Sequence, residues 1–81
     1  MYLQIGKDCI INSNDIIAIL SIDYVKNTKE FKNLYQRLEE ENNIIVASEK
    51  KAMTLILTEK NKSQKAYITN LGVSTIAKRL I

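Results

Sequence analysis

Two adjacent lysines, Lys50 and Lys51, stand in the stretch SEKKA, Ser48 to Ala52, between the apolar runs NIIVA and MTLILT. Ammonium groups in a short connection do one kind of chemistry: they hold anions, as compact point charges on flexible stems. The plain alternative is a solvated turn, and composition by itself favours it. Other candidate groups offer less. The chain has no histidine, so the usual proton carrier at neutral pH is missing. The single cysteine, Cys9, lies in the apolar run CII with nothing to activate it, and reads as a structural thiol. One thiol cannot close a disulfide within the chain, and without histidine it cannot build the usual zinc cage. Glu39, Glu40 and Glu41 occupy consecutive positions and splay around a helix axis, which reads as a solvated helix end rather than a metal or catalytic site. Gly6 and Gly72 belong to no phosphate-cradling fingerprint. The scattered tyrosines Tyr2, Tyr24, Tyr35 and Tyr67 form no stacking platform for single strands. No catalytic residue, metal, cofactor or small-molecule substrate is expected, and the chain reads as a non-enzyme.

What remains is positive charge. The net charge is +3, mildly basic. Its distribution is uneven: from Glu49 to Ile81 there are seven basic residues, Lys50, Lys51, Lys60, Lys62, Lys65, Lys78 and Arg79, against two acids, Glu49 and Glu59. The part before Glu49 is net acidic. Such asymmetry favours a basic face and an anionic partner.

The elements that must position these groups can be read from the pattern. Eighty-one residues make one domain, 1–81. A core of this size is marginal and needs a disulfide, a metal or self-association. With the first two set aside, an oligomer is expected. Ile16 to Ile22, IIAILSI, reads as a strand, with Ile16, Ala18, Leu20 and Ile22 on one face and Ile17, Ile19 and Ser21 on the other. A strand apolar on both faces needs two covers. One helix supplies one of them; the other is either a further part of the sheet or another subunit. YLQI and CII are short strands around the turn Gly6-Lys7-Asp8. Asn27 to about Asn43 reads as a helix, with Asn27 and Glu30 at capping-box spacing and Phe31, Leu34, Tyr35 and Leu38 as its apolar stripe. Asn42-Asn43 would stop it. Strands follow at Ile44–Ala47, Ala52–Thr58 and Lys65–Thr69, with KNKSQK as an exposed hairpin loop. Ser74 would cap a short helix, Thr75 to Ile81, turning Ile76, Leu80 and Ala77 inward. The sum is an α+β fold: a small antiparallel or mixed sheet of five or six short strands, one amphipathic helix packed on it, and a short C-terminal helix. MYLQIGKD is no secretory leader and no run is long enough to span a membrane, and an unpaired cysteine suits a reducing cytoplasm.

The order of these segments resembles the RemA/RemB family of bacterial extracellular-matrix regulators. The resemblance rests on YLQIGKDCIINSNDIIAIL at the start, on the helix, on SEKKA with MTLILT, and on AYITNLGVSTIAKRL at the end. It covers nearly the whole chain and is closer to the RemB type. It implies a small cytoplasmic DNA-binding regulator of biofilm-matrix genes. Members of the RemA type assemble into rings that present repeated basic loops to double-stranded DNA. That type carries an arginine pair in the turn before the fifth strand, and the matching positions here are Lys50 and Lys51. Charge is kept while bidentate geometry is lost. A further DNA-contacting arginine of that type falls at Asp15, an acid here. The substitution favours the alternative of a protein-interaction module that partners a related DNA-binding regulator.

Overall fold

β-Branched and aliphatic residues decide the middle of the chain. In the computed structural model, which describes residues 1–80, strand β5 (Thr54–Lys60) has Thr54 to Thr58 all buried. It lies between β3 (Ile16–Ser21) and β6 (Ser63–Thr69), antiparallel to both. Strand β4 (Ile44–Val46) completes the sheet, parallel to β6, in the order β3-β5-β6-β4. A separate hairpin pairs β1 (Tyr2–Gly6) with β2 (Cys9–Asn12). The helices are α1 (Ile22–Val25), α2 (Lys29–Glu40) and α3 (Val73–Arg79). The expected α+β architecture is the one that forms.

The strands of the four-stranded sheet are apolar on both faces, and the chain covers both itself. On one face Leu55, Leu57, Ala66 and Ile68 pack with Leu38 of α2, flanked by Phe31, Leu34 and Tyr35, the stripe read from the sequence. On the other, Ile56 packs with Leu3, Ile5 and Ile11 of the hairpin and Ile76 of α3, flanked by Ile16, Ile19, Tyr67 and Leu80. The second cover is therefore the small β1–β2 sheet and α3, not another subunit. Each fully buried aliphatic contributes about 1.5–3 kcal/mol. Two threonines fix the layers with hydrogen bonds: the Thr69 hydroxyl donates to the Ile5 carbonyl at 2.6 Å, and that of Thr54 to the Leu71 carbonyl at 2.6 Å.

Several boundaries differ from the sequence reading. The β3 ladder has a bulge between Ile16 and Ala18. Ile16 thereby joins Ile19 on the hairpin side and Ile17 turns outward, 52% exposed. The strand stops at Ser21, because the following residues form the single turn of α1. Helix α2 is capped by Thr28, not Asn27: its hydroxyl accepts from the Phe31 amide at 3.2 Å. Its end follows the expectation. Asn42 takes φ 58°, and the Asn43 amide reaches back to the Leu38 carbonyl at 2.8 Å, the Schellman closure. KNKSQK is mostly strand. Its loop is only Asn61-Lys62, both at positive φ, 52° and 66°, a combination that suits a two-residue hairpin. Helix α3 starts at Val73 after Gly72, so Ser74 lies inside it, and Ala77 is exposed rather than inward. The expected end of that helix at Ile81 lies outside the described residues.

Candidate nucleic-acid interface

The SEKKA segment is longer than a turn. β4 and β5 flank β6 on opposite sides, so residues 47–53 must arch across the end of β6. Both feet of the arch are tied to that strand: the Ala47 amide donates to the Ile68 carbonyl at 2.8 Å, and the Met53 amide to that of Thr69 at 2.9 Å. Within it the Lys50 amide donates to the Ser48 hydroxyl at 3.2 Å, a local turn that fixes the backbone of the first lysine. The underside faces an apolar pocket of about 330 Å³ containing Phe31, Tyr35 and Ile68. Lys50 and Lys51 are both exposed, and neither enters an ion pair among the described residues.

The β1–β2 turn meets this arch from the side. A Cβ placed on Gly6 would lie 2.9 Å from the Ala47 carbonyl carbon and closer still to its oxygen, so only glycine allows the two backbones to approach this far. The φ of Gly6 is not positive, and it is close approach, not chain conformation, that requires glycine here. As a result Lys7, Asp8 and Cys9 share a groove of about 710 Å³ with Ser48, Glu49 and Lys50. Burial raises the pKa of the Cys9 thiol, as suits a thiol held against the core.

The basic second half of the sequence does not form one face. Lys60, Lys62 and Lys65 lie around the β5–β6 hairpin, at the other end of the strands from Lys50 and Lys51. Seven strand residues separate the ends by about 20 Å. At the hairpin end acids answer the lysines. Asp15 shares a pocket with Lys60, Lys65 and Tyr67. Glu41 and Glu59 line another with Lys62 and Arg37, where Arg37 bridges Glu41 at 3.5 Å. Burial pushes the Tyr67 phenol up, with the charges of Cys9 and Asp15 adding to it. Asp15 thus sits far from the lysine pair.

Sequence reasoning overlooked Lys7, which it treated only as part of a turn, and counted Arg79 in the basic surplus of the second half without giving it a site. The glycine before Lys7 and the strand-like flanks mark a tight hairpin, yet nothing local reveals which loop that hairpin touches. Arg79 donates from Nη1 to the Gln4 carbonyl at 2.9 Å and so stands beside the same turn.

A sheet covered on both sides, carrying exposed lysines on a braced arch at one end, defines a small scaffold for presenting charge. Among the described residues no helix is long and apolar enough to cross a membrane. The chain belongs to the RemA-like family, described as extracellular matrix regulatory protein A-like, with the match spanning residues 2–80. No curated protein matches it.

Proposed function

We propose that this chain is a cytoplasmic, non-enzymatic DNA-binding regulator of the RemB type that works as an oligomer and grips duplex backbone through Lys50 and Lys51. One observation carries the reading: in a member of a matrix-regulator family, the two lysines are exposed, free of ion pairs among the described residues and held on an arch tied to β6 at both feet. Each ammonium is a weak point charge, and an oligomer repeats the pair, so that multivalency converts weak contacts into useful affinity. Exposed apolar side chains, among them Tyr24 at 88%, Ile10 at 63% and Val46 at 62%, are surface that self-association would bury.

The test is a mobility shift on duplex DNA over a salt series. Log affinity should fall with log salt by about 0.9 per phosphate neutralised. The Lys50→Ala/Lys51→Ala double variant should show a shallower slope. An unchanged slope removes these lysines from the interface.

Asp15 supports a second reading, a module that binds a related regulator rather than DNA. The acid sits with Lys60 and Lys65 and lowers the net charge of that end. Oligomers by light scattering with no duplex shift at low salt would favour it.

A further inference from the structure

Beside the β1–β2 turn lies a second groove, of about 320 Å³, lined by Gln4, Ile5, Gly6, Lys7, Asn70, Leu71 and Arg79. Its composition differs from that of the neighbouring grooves. The one beside the arch contains Asp8 and Glu49, and those at the hairpin end contain Asp15, Glu41 and Glu59. Among the described residues this groove has two cations and two amides and no acid. Its acceptors are also occupied in part. The Gln4 amide donates to the Gly6 carbonyl at 3.1 Å and to that of Lys7 at 3.4 Å, and Arg79 caps the Gln4 carbonyl. Carbonyls of the turn that would repel an anion are thereby satisfied. The same bond from Nη1 holds the guanidinium in place, and its remaining N–H groups are in a fork that matches phosphate oxygens.

We propose that this groove is a phosphate-binding subsite, with Lys7 and Arg79 as the charged contacts and Asn70 as a neutral donor. Lys7 lines both this groove and the one that holds Lys50. Arg79, Lys7 and Lys50 therefore line adjoining grooves as one track at the same end of the sheet, with Asp8 and Glu49 beside Lys7 and Lys50. In its DNA form the inference rests on the function proposed above: the groove takes a backbone phosphate of the duplex that Lys50 and Lys51 also contact. A free phosphate group would satisfy the same chemistry, and the experiment separates the two sources.

Duplex affinity is measured over a salt series for the wild type, Lys7→Gln, Arg79→Lys and the Lys50/Lys51 double variant, each checked for folding by far-UV circular dichroism. In parallel, inorganic phosphate is titrated at constant ionic strength while the amide resonances of Gly6, Lys7 and Asn70 are followed by NMR. For the DNA source, Lys7→Gln should reduce the slope by about 0.9, one phosphate contact. Arg79→Lys keeps the charge and loses the fork, so it should weaken binding with little change in slope. For a free-phosphate source, the three amides should shift saturably in the wild type and not in Lys7→Gln, whatever the duplex does. Lys7→Arg keeps the charge and should behave as wild type in both arms; it stands in if Lys7→Gln does not fold, and its losing binding would overturn the proposal. If the double variant flattens the slope while Lys7→Gln changes neither slope nor phosphate response, the subsite is wrong and the DNA reading stands. If the wild type ignores duplex but its amides respond to phosphate through Lys7, the DNA reading fails and the subsite stands.

Discussion

Replacing Gly6 with alanine tests the joint that holds the β1–β2 turn against the 47–53 arch. The added methyl would lie 2.9 Å from the Ala47 carbonyl carbon and 3.2 Å from its Cβ, with the carbonyl oxygen nearer than either. Carbon contacts are comfortable at about 3.5–4.0 Å, so the backbones must part by roughly 0.5 Å or more. The obstacle is main chain, anchored by the Ala47 amide on Ile68, and cannot rotate away as a side chain would. Overpacking costs about 1–3 kcal/mol, and the fixed obstacle puts Gly6→Ala in the upper half of that range. A chain of 81 residues has a total stability on the order of 4–12 kcal/mol. The loss should therefore move the urea midpoint by about 2–3 M, given a slope near 1 kcal/mol/M for a protein this small.

Gly72→Ala is the matched control. Nothing lies within 4 Å of a Cβ there, and φ is −73°, so the change should stay within about 0.5 kcal/mol of wild type. Ala47→Gly should not rescue Gly6→Ala, because the clash is with the carbonyl group and not only with the Ala47 methyl. Circular dichroism during urea titration reads all of these variants. If Gly6→Ala and Gly72→Ala prove equally mild, the turn and the arch are not joined as described, and the track through Lys7 loses its basis.

Three further outcomes are expected. Thr69→Val removes the donor to the buried Ile5 carbonyl and should cost about 1–3 kcal/mol in urea denaturation; a neutral result would mean that the bond between the layers is dispensable. Lys62→Gly relieves a side chain held at φ 66° and should stabilise the protein by about 0.5–1 kcal/mol, while leaving the salt slope for duplex unchanged because Lys62 lies at the end away from the arch. Val46→Glu alters an outward side chain, 62% exposed, on an edge strand, and should leave the unfolding free energy within about 0.5 kcal/mol of wild type while, under the proposed self-association, reducing assembly size in light scattering.

The elements were legible where a local rule acts alone. The stripe of Phe31, Leu34, Tyr35 and Leu38 buries as its spacing requires, and Asn42 stops the helix in the left-handed conformation that asparagine tolerates. The strand expected over Ala52–Thr58 also forms for its apolar core, with Leu55 and Leu57 toward α2 and Ile56 toward the hairpin. Misreadings arose where one residue shifts a register. The bulge at Ile17 moved Ile16 to the opposite face, and no composition signals a bulge in a run of isoleucines. Thr28 outcompeted Asn27 as cap because the choice depends on which residue leaves the preceding turn in extended conformation, here Thr28 at ψ 147°. The site was half legible. The lysine pair is plain in the sequence, while its neighbour Lys7 is more than forty positions away and joins it only through the approach of Gly6 to Ala47. The basic surplus of the second half misled in another way: a hairpin reverses the chain, so lysines close in sequence are carried to the opposite end of the sheet and meet acids from the first half.

The internal second cover changes what self-association has to accomplish. Had β3 needed a neighbouring subunit to bury Ile19, folding and assembly would be one equilibrium, and no variant could separate them. Ile19 is instead covered by the hairpin and α3 of its own chain. The outward apolar residues, Ile10, Ile17, Tyr24 and Val46 among them, lie outside both cores. Under the proposed self-association their burial would add stability to an assembly, but it is not a condition for the sheet. Under the proposed function, the fold then supplies a rigid arch carrying two weak charges, and assembly only multiplies copies of it. Affinity for a polyanion should accordingly track the number of subunits joined, while the affinity of each arch stays constant. The subunit's own contribution is set by how firmly Gly6, Ala47 and Met53 hold Lys7, Lys50 and Lys51 in place.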